Sequence, residues 1–175
     1  MQPADTGLDH VVVIGASAGG LEAIQELLAH LPAGGHATYV VAQHLSPDHP
    51  SQLVDLLKRS TGLEVISVAD QQPLTVDRVV VVPPNCDAIF TEEGLSLAEP
   101  EPRFGPSPSI DRLFDSLAHH WGHRSVAIVL SGTGSDGACG LRAVGAAGGL
   151  TLVQSPASAR FDGMPSAAIA WVAST

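Results

Sequence analysis

Short β-branched runs alternate with apolar residues at helical spacing over most of this chain. Residues 10–14 form a strand-like run stopped by Gly15, and Leu21, Ile24, Leu27, Leu28 and Leu31 then mark a helix face ended by Pro32 and Gly34-Gly35. A second run covers 38–42. After the turn-like Ser46-Pro47-Asp48, a second helical segment gathers Leu53, Val54, Leu56 and Leu57. This βαβ alternation predicts parallel strands joined by right-handed crossovers, with helices covering the sheet.

The middle of the chain differs. Residues 64–68, 78–82, 88–90 and 95–98 are short strand candidates separated by turns, which predicts an antiparallel excursion with a hairpin at Glu92-Glu93-Gly94. Residues 99–108 hold four prolines and read as a loop. Then Ile110, Leu113, Phe114, Leu117 and Trp121 share a helical face, 126–130 reads as a buried strand, and a small-residue helix spans 138–147 before Gly148-Gly149. A strand near 151–153 and a short helix near 165–170 follow. The expected architecture is a three-layer, doubly wound α/β domain over 1–175, its mostly parallel sheet carrying an antiparallel edge hairpin.

Composition narrows the partners. The chain has 175 residues, 45% of them hydrophobic, enough for a buried core. Its net charge of −10 argues against nucleic acid or an anionic membrane surface, since both need a cationic face. Two distant cysteines, Cys86 and Cys139, suggest no disulfide framework or zinc pair and fit a reducing cytosol. No apolar run approaches the roughly 20 residues that cross a bilayer, and residues 1–8 lack a signal pattern. A cytoplasmic protein without membrane insertion is expected.

Ligands of open α/β sheets bind beyond the carboxyl ends of the strands. Three polar residues follow strands there: Ser17 after the first, His44 after the second, and Asp136 in the glycine-rich 131–137 loop. They are the side-chain types of a hydrolytic triad. Ser17 sits in Gly15-Ala16-Ser17-Ala18-Gly19, where a sharp turn would present its hydroxyl and the next helix would aim free N–H groups at an oxyanion. His44 would serve as base, and Asp136 would fix its tautomer.

Each also has a plainer reading. Ser17 or Asp136 could simply cap the helix that follows it, the glycine turn would equally suit a phosphate, and His44 could be a loop histidine. The conjunction of the three favours hydrolysis. A dinucleotide site fits poorly, because the glycine spacing is wrong and the second strand ends in Gln43-His44 instead of an acidic residue. An ordinary α/β-hydrolase would place its acid before its histidine. Imidazoles cluster at His44 and His49 and at His119, His120 and His123, but neither group has an obvious carboxylate pattern, and the last three lie at the polar end of a helix and read as solvated surface, so no metal is expected. Cys139 reads as small core packing, and Met164-Pro165 as a helix start.

The ordered stretches Ile14–Gly20, Val41-Ala42-Gln43-His44, Val81–Asn85, Ser109-Ile110-Asp111, Leu130–Gly137 and Gly163-Met164-Pro165 resemble the catalytic domain of the chemotaxis protein-glutamate methylesterases. The resemblance implies hydrolysis of glutamyl γ-methyl esters on the cytoplasmic helices of chemoreceptors, and in many members deamidation of receptor glutamines. It implies Ser17 as nucleophile, His44 as base and Asp136 as its orienting acid. It also implies an oxyanion and substrate pocket from Ala18, Gly19, Thr133, Gly134 and Met164, and no cofactor.

Departures from the family pattern carry information. Ala18 stands where many members have threonine, Thr133 where they often have methionine, and Ser166 where arginine commonly follows Met-Pro. Ala18, Thr133 and the His44–Asp48 segment look more like members fused to a receptor methyltransferase, which makes a methyltransferase domain or subunit a candidate partner. Residues 1–10 are too few for the family's usual phospho-receiver domain. The chain is therefore expected to be uncovered or gated by another domain or subunit, as a stand-alone enzyme or part of a fusion. The alternative is a catalytically silent interaction module of a chemosensory protein.

Overall fold

In the computed structural model, residues 7–44, 52–102 and 105–173 are described. Their elements run β1 (His10–Ala16), α1 (Gly20–Ala29), β2 (Ala37–Gln43), α2 (Leu53–Lys58), β3 (Glu64–Ser67), β4 (Arg78–Val81), β5 (Asp87–Thr91), β6 (Gly94–Ala98), α3 (Ile110–Trp121), β7 (Ser125–Val129), α4 (Ala138–Ala146), β8 (Leu150–Val153) and α5 (Gly163–Ala173). The turn expected at Ser46-Pro47-Asp48, the compared segment beyond His44, and His49 lie outside the described residues.

Six strands form one parallel sheet in the order β3-β4-β2-β1-β7-β8. Period-two alternation splits its side chains between two cores. Val11, Val13, Val40, Ala42, Val80, Ala127 and Val129 pack with Leu113, Phe114, Leu117, Leu141 and Ala168 of α3, α4 and α5. Ile14, Tyr39, Val41, Val79, Val81 and Ile128 pack with Ile24, Leu28, Leu53 and Leu57 of α1 and α2. Both faces are covered, so these strands read as unbroken apolar runs. At the β8 edge Leu150 and Leu152 are exposed.

The three-layer class expected from the sequence holds, but the middle of the chain is divided differently. Residues 64–68 and 78–82 are not antiparallel: β3 pairs parallel to β4, with Glu64 beside Arg78 in register and bonded to it at 3.0 Å. Burial explains the outcome. Val79, Val80 and Val81 are all inaccessible or nearly so, which demands cover on both faces and an interior place in the sheet. The antiparallel strands among the described residues are β5 and β6, turning through Glu92-Glu93 with Gly94 at φ 140°, and Gln72 adds an isolated antiparallel bridge to Leu95 of β6. They form a separate two-stranded sheet instead of an edge of the large one, and Phe90 N–H donates to Ser116 Oγ of α3 at 2.9 Å.

Helix α3 buries Ile110, Leu113, Phe114, Leu117 and Trp121, the face its sequence suggests, and begins with Ser109 Oγ accepting from Arg112 N–H at 3.2 Å. Cys139 departs from expectation. It is exposed, because α4 turns Ala138, Gly140, Leu141 and Val144 inward and leaves position 139 outward. His119, His120 and His123 are exposed as expected. Among the described residues no helix is long and apolar enough to cross a membrane.

Candidate active site

From β1 the chain adds β2, crosses to β3 at the edge, fills the gap with β4, and then returns to add β7 and β8 on the other side of β1. That reversal opens a crevice beyond the carboxyl ends of β1, β2 and β7. Ser17, His44 and Asp136 all belong to its rim. The β1–β2 register pairs Ala16 with Gln43, so Ser17 and His44 are the next residues on adjacent chains, and His44 N–H donates to Ala16 O at 3.1 Å.

Ser17 does not cap α1. Gly19 occupies that position at φ 71°, a left-handed conformation that lets the chain turn sharply from strand into helix. The Ser17 backbone is tied on both sides: its N–H donates to Ser131 O at 3.0 Å, and its carbonyl accepts from Gly20 N–H at 2.9 Å and Gln43 Nε2 at 3.4 Å. No hydrogen bond among the described residues engages the Ser17 hydroxyl, nor do the N–H groups of Ala18 and Gly19 have backbone acceptors there. A hydroxyl and two donors are thus uncommitted at one turn.

His44 Nε2 lies 2.8 Å from Asp136 Oδ2, with both side chains about nine-tenths buried. A carboxylate only accepts, so Nε2 carries a proton, and in the neutral ring Nδ1 then keeps its lone pair. The same Oδ2 accepts from Ile110 N–H at 2.9 Å, and Oδ1 accepts from Asp111 N–H at 2.9 Å. Asp136 is indeed a helix cap, but of α3 and not of the helix it precedes. That neighbouring helix, α4, is capped in return by Asp111, whose Oδ1 accepts from Gly137 N–H at 3.1 Å and Gly140 N–H at 2.7 Å.

Burial, partly opposed by the Gly140 N–H and reinforced by the Asp136 carboxylate, pushes the Asp111 carboxyl up to about 6. The exposed Cys139 thiol is also raised, by partial burial and the Asp111 carboxylate, against the pull of Arg142. A thiol shifted this way is less nucleophilic at neutral pH.

The proposed pocket residues surround Ser17 unevenly. Thr133 and Gly134 are exposed beside the crevice, whereas Met164 is wholly buried, its N–H donating to Gly132 O at 2.9 Å. A Cβ on Gly132 would fall 2.2 Å from Met164 Sδ and 2.9 Å from Ser17 Cβ. Gly132→Ala should therefore displace one of them. A loss of about 1–3 kcal/mol in urea unfolding, with at least a roughly tenfold fall in turnover, is the expected result.

Sequence reasoning gave no role to Ser131, yet it joins three segments. Its carbonyl holds Ser17 N–H, its hydroxyl lies 2.8 Å from Ala18 O, and Phe161 N–H donates to that hydroxyl at 3.0 Å. Asp111 was likewise visible only as part of a matching stretch. The signal was its place at the first turn of α3, but the helix it caps is another one. Arg160 adds a cation at the rim, with its guanidinium 4.0 Å from Glu22.

The model of the family described as CheB methylesterase matches residues 12–175. A protein-glutamate methylesterase/protein-glutamine glutaminase of Anaeromyxobacter dehalogenans is 38% identical over 166 residues, covering 90% of this chain and 47% of the relative. One from Geobacter sulfurreducens is 34% identical over 96% of this chain and 46% of its own length. The chain thus spans about half the length of these curated relatives. An uncharacterized 104.1 kDa protein of Rhodobacter capsulatus is 48% identical over 119 residues, 67% of this chain and 12% of that protein. Among solved structures, the Thermotoga maritima CheB methylesterase catalytic domain superposes with a TM-score of 0.84 at 25% identity, covering 92% of this chain and 87% of that one.

Proposed function

The chain belongs to the CheB methylesterase family, and from that premise we propose that it is a serine hydrolase acting on glutamyl γ-methyl esters of chemoreceptor helices in the cytoplasm. The observation that carries the reading is the Asp136–His44 hydrogen bond at 2.8 Å, set beyond the strand adjacent to an uncommitted Ser17 hydroxyl.

In this reading His44 Nδ1 takes the Ser17 proton as Oγ attacks the ester carbonyl carbon, and Asp136 stabilises the imidazolium so formed. The tetrahedral oxyanion is met by backbone N–H groups of Ala18, Gly19, Thr133 or Gly134. These are main-chain donors, so alanine at 18 and threonine at 133 leave them in place. Collapse breaks the bond to the methoxy oxygen, which leaves as methanol with the proton from His44. Water, activated by the same histidine, then releases the glutamate carboxylate and restores Ser17. A glutamine amide would follow the same path with ammonia leaving, the glutaminase half of the relatives' names.

Methylated receptor helices are the proposed substrate, and a methyltransferase domain or subunit the proposed companion. The direct test is methanol release from a radiolabelled methylated receptor fragment mixed with the native chain. Release at a rate proportional to protein concentration is expected. No release where a family methylesterase works would leave the silent interaction module as the better description.

A further inference from the structure

Two carboxylates sit back to back where the N-termini of α3 and α4 cross, and only one of them touches His44. Asp136, just before α4, accepts from the first two N–H groups of α3; Asp111, in the first turn of α3, accepts from Gly137 and Gly140 at the start of α4. The exchange is closed, because Asp111 both donates its backbone N–H to Asp136 and binds the N–H of Gly137, the residue directly after it. Moving either carboxylate would unseat the other.

We propose that Asp111 is a positioning residue of the hydrolytic site, holding Asp136 in place and adding its negative charge to the pull on His44 as the imidazolium forms. This deepens, and rests on, the hydrolase reading above.

A helix cap alone would need no charge, since a neutral amide or hydroxyl caps almost as well. Here the charged form has a cost and a use. With His44 neutral, Asp111 and Asp136 are like charges in a half-buried setting and repel each other. When His44 takes the serine proton, its positive charge offsets that repulsion. The interaction is therefore more favourable in the transition state than in the ground state, the condition for lowering a barrier.

The groups facing Asp111 allow this. Asp136 approaches from the loop before α4, Cys139 and Arg142 lie on α4, and His44 stands beyond Asp136. On its own helix, Asp115 and Arg112 flank it, and Glu101 shares the adjoining groove. The Arg112 guanidinium is bonded to Asp87 at 2.7 Å and reaches Glu101 at 3.5 Å. That groove, about 920 Å³, is lined by Asp111, Cys139 and Gly140 among others.

The sign follows from the raised carboxyl. Asp111 is mainly neutral well below pH 6 and mainly ionised above it. Ionisation should raise turnover by favouring the His44 imidazolium, while the same ionisation opposes folding, so this group's contribution to stability falls as pH rises from about 4 towards 6.

Asp111→Asn keeps an oxygen to accept from Gly137 and Gly140 but carries no charge. It should lower kcat for methanol release roughly three- to tenfold with little change in KM, and move the acid limb of the pH–rate profile to lower pH. Unfolding midpoints at pH 7 should stay at or above the native value, whereas Asp111→Ala should lose both stability and rate. Native kcat and a native acid limb in Asp111→Asn would reduce Asp111 to a helix cap and overturn the proposal. If that variant does not fold, Asp111→Ser, which keeps a neutral capping oxygen, is read the same way: a lowered kcat with KM unchanged supports the proposal, and a native kcat with a native acid limb overturns it. Native turnover is measured alongside, so a native chain that releases no methanol counts against the hydrolase reading, not against this one alone.

Discussion

Ser17→Ala should reduce methanol release by about 10⁴- to 10⁶-fold while leaving the fold unchanged. The second half of that expectation comes from how the turn is built. Among the described residues, every hydrogen bond that fixes residue 17 runs through its backbone: N–H to Ser131 O, and carbonyl from Gly20 N–H and Gln43 Nε2. Alanine preserves all three and removes a hydroxyl that makes no hydrogen bond among the described residues. The thermal midpoint should shift by no more than about 0.5 kcal/mol of stability permits. Binding of the methylated receptor fragment should persist, so the variant becomes a trap for substrate. Turnover within tenfold of native would assign the nucleophile to another group.

Asp136→Ala should fail in two measurements at once. Rate should fall about 10⁴-fold, because His44 loses the acceptor that sets its tautomer and stabilises its cation. Stability should fall by about 2–4 kcal/mol in urea unfolding, because Ile110 and Asp111 N–H lose their acceptor at the start of α3. Relief of the repulsion on Asp111 offsets part of the loss. The contrast with Ser17→Ala is the informative comparison: one variant separates chemistry from folding, and the other shows where they are joined. A stable, inactive Asp136→Ala protein would mean that the α3 cap is dispensable.

Much of this arrangement was legible in the residues. The strands and helices that carry Ser17, His44 and Asp136 announce themselves by period and by glycine, because each is a local pattern with a buried face. Pairing was harder to read. Residues 64–67 and 78–81 look like any short strands, and only the burial of Val79 to Val81 between β3 and β2 makes them parallel members of the sheet. Cys139 misled for a related reason, since a short helix of small residues has no strong stripe to say which side faces inward. The exchange of caps between Asp111 and Asp136 could not be seen at all: capping rules look three residues ahead along one chain segment, and here each acid caps a helix brought to it by tertiary packing.

Because Asp136 holds up α3 as well as facing His44, selection for a stable fold would retain it even in a descendant that no longer cleaves anything. Its presence in a distant homologue is weak evidence of turnover. The Ser17 hydroxyl makes no hydrogen bond among the described residues, so drift would erase it first. Among diverged relatives, serine at that one position is the more trustworthy mark of a working esterase.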